Sequence, residues 1–249
     1  MSAIEARGAA LTYQDGTEAL RPLDLAVEQG EFVSLLGPSG CGKSTLLKLM
    51  AGLLAPSAGT VAVDRSRLAF VFQAPTLMPW ASVATNVRLP LDLAGTPRRR
   101  ADARVADALA LVGLDGFASR LPRALSGGMQ MRVSIARALV MEPGLLLMDE
   151  PFGALDEITR YKLDAELLAL WRSRGLTVVF VTHSIHEAVF LSTRIVMMAA
   201  RPGRIVEEVA VDEPYPRTQD FTVTPRFAAL ARRVQDSLVR ASAVVGGPP

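Results

Sequence analysis

An α/β fold built on a mainly parallel sheet is predicted for this chain of 249 residues by three observations. Apolar runs such as "LLLMD" and "TVVFVTH" are short and do not alternate with polar residues, the pattern of strands covered on both faces. Helical segments separate strand-like ones, as "RYKLDAELLALWRSR" does between "GLLLMDE" and "LTVVFVTH". A Gly-rich loop joins a strand-like to a helix-like segment in "EFVSLLGPSGCGKSTLLKLMAGLL". Half of the residues are hydrophobic and mean hydropathy is +0.27. No apolar run approaches the roughly 18 residues a membrane helix needs, so buried strands account for the hydropathy.

Taken in order, the first 35 residues read as short strands with turns at "QDGTE" and "EQGE". The strand–loop–helix around residues 37–45 follows, and "GTVAV" and "RLAFVFQ" read as further strands. From about Ser82 to Leu139 the period becomes helical, with "TPRRRADARVADALALVGL" an amphipathic helix between polar breaks. That insert predicts a helical lobe attached to the α/β core. A last helix is expected over about 224–241, where Phe227, Leu230, Val234 and Leu238 share one apolar face that packs on its own domain.

Charge and cysteine usage exclude several classes. The 27 basic and 25 acidic residues leave a net +2, which points neither to a nucleic-acid binder nor to an acidic tail. "RRR" at 98–100 reads as a solvated helix start. Cys41 is the single cysteine, so no intrachain disulfide framework is possible. "MSAIEARG" has neither a positive n-region nor an apolar h-region, so no signal peptide is expected and a cytosolic location is the default.

Residues Gly37, Pro38, Ser39, Gly40, Cys41, Gly42, Lys43 and Ser44 match G-x-x-x-x-G-K-[ST], with Thr45 next. The glycines let backbone N–H groups turn inward onto phosphate oxygens, and the helix that follows adds its positive end. Lys43 can reach the β- and γ-phosphates, and the Ser44 hydroxyl can bind Mg²⁺. A chance match occurs in roughly 1% of chains this long, and a chain whose only lysines are Lys43, Lys48 and Lys162 makes it rarer still. Cys41 reads as a small neutral residue of the loop rather than a redox switch.

"LLLMDE" ends an apolar strand in Asp149 and Glu150. Ligands gather at the C-terminal edges of such strands, so Asp149 is placed to hold Mg²⁺ and Glu150 to deprotonate an attacking water. By themselves two acids after a strand are a solvated turn; beside a phosphate loop they are more. Gln73 follows "LAFVF" and can bind a metal or position water, although a lone Gln is usually polar surface. His183 ends "VVFVTH" and could touch a γ-phosphate from the same sheet edge; with His186 it makes only a poor metal pair. Tyr13, on the first strand pair, could stack on an adenine ring, whereas an aromatic on a strand is more often core. "RALSGGMQMRVSIARAL" puts Ser126, Gly127, Gly128 and Met129 at a helix start with no acid, base or nucleophile nearby.

In order, the loop at 37–45, Gln73, "LSGGM" at 125–129, "LLLMDE" at 145–150, "ALD" at 154–156 and His183 resemble ATP-binding cassette (ABC) ATPases over nearly the whole chain. "LSGG" is the specific part. The resemblance implies one ATPase domain over 1–249. Its core would be a P-loop NTPase (RecA-like) fold with an N-terminal antiparallel β-subdomain and an inserted α-helical signature lobe. It implies a head-to-tail homodimer binding two Mg-ATP, in which Ser126 and Gly128 of one copy cap the γ-phosphate held by Lys43 of the other. Gln73 then senses Mg²⁺ and the attacking water, Asp156 crosses the dimer interface, His183 is the switch histidine, and Tyr13 stacks on adenine. Two positions depart from the family's habit: Ala124 stands where Gln or Glu usually precedes "LSGG", and Met131 where a Gln is common, with Gln130 beside it.

"QAPTLMPWASVATNV", "DEPFGALDEITR" and "MMAARPGRIVEEV" further resemble the importer branch for nitrate, sulfonate, taurine and related solutes. This implies a transmembrane permease partner, a periplasmic or extracellular solute-binding protein acting indirectly, and a peripheral place on the cytoplasmic side of the cell membrane, with no nucleic acid. Trp80 either contacts the permease or lies buried in the lobe. The alternative is a soluble ABC ATPase acting on nucleic acid or ribosomes; paired cassettes or long coiled-coil insertions would mark it, and neither is present.

Overall fold

Strands β1 (Ser2–Thr12) and β2 (Glu18–Glu28) run antiparallel, and β4 (Ala58–Val63) pairs with the other edge of β1. The computed structural model describes residues 2–153, 155–200 and 202–243, with side chains through 240. The opening strands are 11 residues each rather than short, because the Gly-containing turn after Tyr13 closes one continuous hairpin, Tyr13 N–H donating to Thr17 O at 2.9 Å. "GTVAV" is a strand of this antiparallel sheet, not of the parallel one.

The second sheet has the order β5 (Leu68–Val71), β6 (Leu145–Asp149), β7 (Thr177–Thr182), β3 (Phe32–Leu36), β8 (Arg194–Ala199), β9 (Arg204–Ala210). All neighbours are parallel except the β8–β9 edge pair. Every residue of β3, β6 and β7 is buried, which is why their sequences do not alternate. Successive side chains still point to opposite faces. Leu145, Leu147, Val179 and Val181 join a core with α1 (Lys43–Ala51) and the antiparallel sheet, while Leu146, Met148, Val178 and Phe180 join one with the remaining helices. Each fully buried Leu or Phe contributes about 1.5–3 kcal/mol.

The stretch from 82 to 139 holds α2 (Val83–Leu93), α3 (Arg98–Leu111) and α4 (Gly127–Leu139). Arg98, Arg99 and Arg100 are exposed at the start of α3. Helix α5 (Glu157–Arg174) links β6 to β7. Helix α6 (Ile185–Leu191), β8 and β9 were not legible as elements in the sequence. The last helix, α7 (Pro225–Ala243), buries Phe227 and Val234 and packs Leu230 and Leu238 against the same core, as its spacing predicts. Among the described residues no helix is long and apolar enough to cross a membrane.

Arg217 fastens the segment before α7. It is 5% exposed, donates to the carbonyls of Val189, Phe190, Ser192, Val211 and Glu213, and lies over the Tyr215 ring at 4.0 Å. These carbonyls end α6 and β9, where no ladder satisfies them. Arg217→Met is expected to lower stability by about 2–4 kcal/mol, since several buried acceptors lose their donor together. A denaturant midpoint that falls with unchanged m-value checks this; an unchanged midpoint refutes it.

Candidate nucleotide site

The loop after β3 is shaped by its glycines. Gly42, at φ 87°, caps α1, and a Cβ there would lie 2.5 Å from Leu20 Cδ2; only glycine fits. No side chain caps α1 and its first turn has no acid, so the N–H groups at the helix start are left for an outside acceptor, the arrangement that suits a phosphate. Lys43, 5% exposed, donates from Nζ to Gly37 O at 2.7 Å and Pro38 O at 3.0 Å. Its charge is thereby held over the loop.

Ser39, Gly40, Cys41, Gly42, Lys43, Ser44 and Thr45 line an open cleft of about 510 Å³ together with Gln73, Glu150 and Tyr13. Gly37 and Pro38 lie beneath it and supply the carbonyls that hold Lys43. Cys41 is fully buried, and burial pushes its thiol upward, the opposite of what a reactive thiolate needs. The Tyr13 ring is 42% exposed, so it is not core; its hydroxyl is 3.3 Å from Thr45 Oγ1. Thr17, Glu18, Ala19, Pro202 and Gly203 also line the cleft. No spacing in the sequence links them. They meet because Leu20 and Gly203 form a bridge across the mouth of the phosphate loop.

Asp149 is buried at the end of β6 and accepts from Ser44 Oγ at 2.8 Å. Burial is the main force raising its carboxyl; the Ser44 hydrogen bond opposes it, nearby Glu150 adds to it, and Lys48 and Lys43 lower it. A buried carboxylate beside a hydroxyl is a hard-oxygen donor set that fits Mg²⁺.

Glu150 has φ 45°, a conformation costing a non-glycine residue about 1–3 kcal/mol. Its N–H donates to Val181 O at 3.0 Å. One carboxylate oxygen, Oε2, receives Gln73 Nε2 at 3.3 Å and lies 3.4 Å from His183 Nδ1. Side chains from beyond the ends of β5 and β7 thus converge on one oxygen of the residue that follows β6. His186 is elsewhere: it packs on Tyr161, Phe190 and Phe227.

Ser126, Gly127, Gly128 and Met129 are not among the residues lining the cleft. Ser126 caps α4, its Oγ accepting Met129 N–H at 3.3 Å, and Ser126 and Gly127 are exposed. A Cβ on Gly128 would lie 2.7 Å from Leu155 Cδ2, so the glycine there admits the loop before α5. Of the two departures from the usual pattern, Ala124 is exposed and Met131 is buried, and Gln130 beside it donates to the carbonyls of Pro122 and Leu125. Asp156 caps α5 by accepting Thr159 N–H at 2.9 Å, which lowers its carboxyl pKa. Ala154 lies outside the described residues.

Two residues without a motif hold the loop after Gln73. Asn86, fully buried, donates to Met78 O, Ala81 O and Ser82 O and accepts Met78 N–H. Arg137 of α4 donates to Pro75 O and Thr76 O, both at 2.9 Å. Trp80 on this loop is 78% exposed, which excludes burial in the lobe.

Comparison with known proteins gives concordant matches. The family described as "ABC transporter" matches residues 20–153. An uncharacterized ABC transporter ATP-binding protein of Methanocaldococcus jannaschii is 47% identical over 207 residues, covering 80% of this chain and 78% of that protein. An aliphatic sulfonates import ATP-binding protein of Pseudomonas syringae pv. syringae is 46% identical over 217 residues, covering 87% of this chain and 89% of that protein. Among solved structures, a dimeric ATP-binding cassette in a post-hydrolysis state bound to ADP and Pi superimposes with TM-score 0.78 at 33% identity, over 85% of this chain and 100% of that one.

Proposed function

The chain belongs to the ABC transporter family and is an ATPase of it, and on that premise we propose that it drives an importer for a small sulfonate-like solute. In this reading residues 1–249 form one ATPase domain. It sits peripherally on the cytoplasmic face of the cell membrane, bound to a transmembrane permease that a solute-binding protein serves. The importer names among the relatives support the solute class.

One observation carries the mechanism: the cleft gathers Lys43, Ser44, Gln73 and Glu150, while the helix start at Ser126 faces solvent outside it. Two copies set head to tail bring the exposed α4 start of one to the phosphates on the other. Lys43 and the free N–H groups of α1 neutralise phosphate charge. Ser44, Asp149 and Gln73 would hold Mg²⁺, which supplies Lewis-acid charge at the phosphates when bound. Glu150 takes the proton of the attacking water, and His183 and Gln73 fix its carboxylate. Tyr13 stacks on adenine, and Asp156 meets the partner copy.

The permease is expected on the face that carries Trp80. A groove of about 390 Å³ that includes Thr76 of the same loop is lined by Phe70, Phe72, Leu89, Leu93 and Met141, with Leu93 81% exposed. Trp80→Ala should reduce recovery with membranes bearing the cognate permease by tenfold or more, the scale of about 1.4–2 kcal/mol for a central aromatic anchor. ATP affinity should stay within about twofold. Full membrane recovery of the variant would count against this docking face. Nucleic acid recovered with the wild-type chain, and no membrane dependence, would favour the soluble alternative.

A further inference from the structure

A cluster of charged side chains on α5 and α6 lies outside the residues that line the cleft. Arg160 of α5 donates from Nη2 to Leu155 O at 3.0 Å, the carbonyl just before Asp156. Its Nε lies 3.4 Å from Glu187 Oε1 on α6. Glu187 is 5% exposed, and its other oxygen accepts the hydroxyl of Thr182, the residue before His183. The Thr182 hydroxyl in turn accepts Ser184 N–H at 2.9 Å, and Ser184 Oγ accepts Glu187 N–H at 3.2 Å. His183 is therefore bracketed by two residues locked to Glu187, and Glu187 is tied through Arg160 to the loop carrying Asp156.

Behind this chain stands Asp164, fully buried, with neither carboxylate oxygen hydrogen-bonded. The charged groups that act on it are Glu187 from α6 and Arg160 from its own helix. Those acting on Glu187 are Arg160, His183 and Glu150. An unpaired buried anion is untenable there, and two carboxylates competing for one guanidinium cannot both keep it.

We propose that Arg160 and Glu187 form a positioning strut that fixes His183 and the Asp156 loop as one unit, and that the strut holds only while Asp164 is a neutral acid. Neither residue touches the cleft; both act through His183 and Asp156, so the strut rests on the roles assigned to those two above. Burial, and next to it the Glu187 charge, push the Asp164 carboxyl up to about 8. The sign follows: Asp164 is neutral at pH 7 and ionises as pH rises through about 8, when its new charge draws Arg160 from Glu187 and releases Thr182.

The test uses the purified chain with Mg-ATP, its steady-state kinetics from pH 6 to pH 9.5, and thermal unfolding as a fold check. Glu187→Gln and Arg160→Lys should each lower kcat roughly tenfold, since a misplacement of about 1 Å costs up to a hundredfold. KM for ATP should move less than about twofold, because the phosphate contacts are untouched. Asp164→Asn should match the wild type at pH 7 but lose the fall in kcat that the wild type shows above about pH 8. Wild-type kcat in both strut variants, a loss expressed in KM instead, or an unchanged alkaline limb in Asp164→Asn overturns the strut. His183→Ala separates the two levels: if it turns over normally, the role of His183 is wrong and the strut falls with it. If His183→Ala is slow while the strut variants are not, the strut alone is wrong. Should Glu187→Gln unfold, the Asp164→Asn pH profile decides.

Discussion

Glu150→Gln is expected to bind ATP as the wild type does and to hydrolyse it roughly 10²–10⁴-fold more slowly, the range that loss of a positioned general base costs. The substitution is nearly isosteric, so it leaves the shape of the cleft and the contact from Gln73 at 3.3 Å. What disappears is the carboxylate charge where Gln73 and His183 converge, and with it the capacity to take a proton from water. Lys43, Ser44 and Asp149, proposed above to hold the phosphates and Mg²⁺, are unchanged, so affinity should shift by less than about twofold. Single-turnover rates and a nucleotide titration on the same preparation separate the two quantities. Undiminished hydrolysis would remove Glu150 from its role.

The positive φ of Glu150 gives that experiment an internal control. A strained backbone at a functional residue persists only because its surroundings hold it. Glu150→Gly should relieve the strain and raise stability by about 1 kcal/mol, yet turn over no faster than Glu150→Gln. Stability and rate then move in opposite directions at one position. If they fell together, Glu150 would instead be a structural residue whose loss damages the site indirectly.

What the sequence disclosed depended on whether an interaction was local. The phosphate loop and the β6 carboxylates were legible because strand, turn and helix start are contiguous, and the chemistry follows from their order. The parallel strands β3, β6 and β7 were legible because burial on both faces suppresses alternation. In contrast, "RIVMMAA" and "GRIVEEV" are β8 and β9 and were not read as strands, since a two-sided core strand and an edge strand carry different patterns, although Pro202 and Gly203 between them are a turn signal. Exposure was illegible too: Tyr13 and Trp80 are aromatics that propensity assigns to cores, and only the fold leaves them in solvent. Hidden most deeply were Asn86, Arg137, Arg160 and Arg217. Each binds backbone carbonyls, which every residue possesses, and some of these partners are far away in sequence: Pro75 is 62 positions from Arg137. No motif can record a contact whose acceptor has no side-chain identity.

Ser126→Arg carries the second large effect, and its outcome depends on which chain completes the site. In one copy Ser126 is exposed and lies outside the cleft, so an arginine there has room. The cost within that copy is the lost N-cap to Met129, about 1 kcal/mol. Nucleotide binding at Lys43 should be spared, while turnover should fall by a hundredfold or more. The α4 start would meet the partner's phosphates with a bulky side chain where it now has a hydroxyl and two glycines. A mixing experiment makes the logic strict. Lys43→Ala chains cannot hold phosphate, and Ser126→Arg chains cannot complete their partner's site; each alone is inactive under either reading. Mixed in equal amounts, a head-to-tail pair has one site with Lys43 and Ser126 both intact, and random pairing restores roughly a quarter of wild-type activity if the sites work independently. Were Ser126 to serve the cleft of its own chain, every site in the mixture would lack one of the two residues and no activity would return. Complementation is therefore the result that places the helix start at Ser126 on the nucleotide of a second copy, and its failure, with both variants folded and pairing, would place it elsewhere.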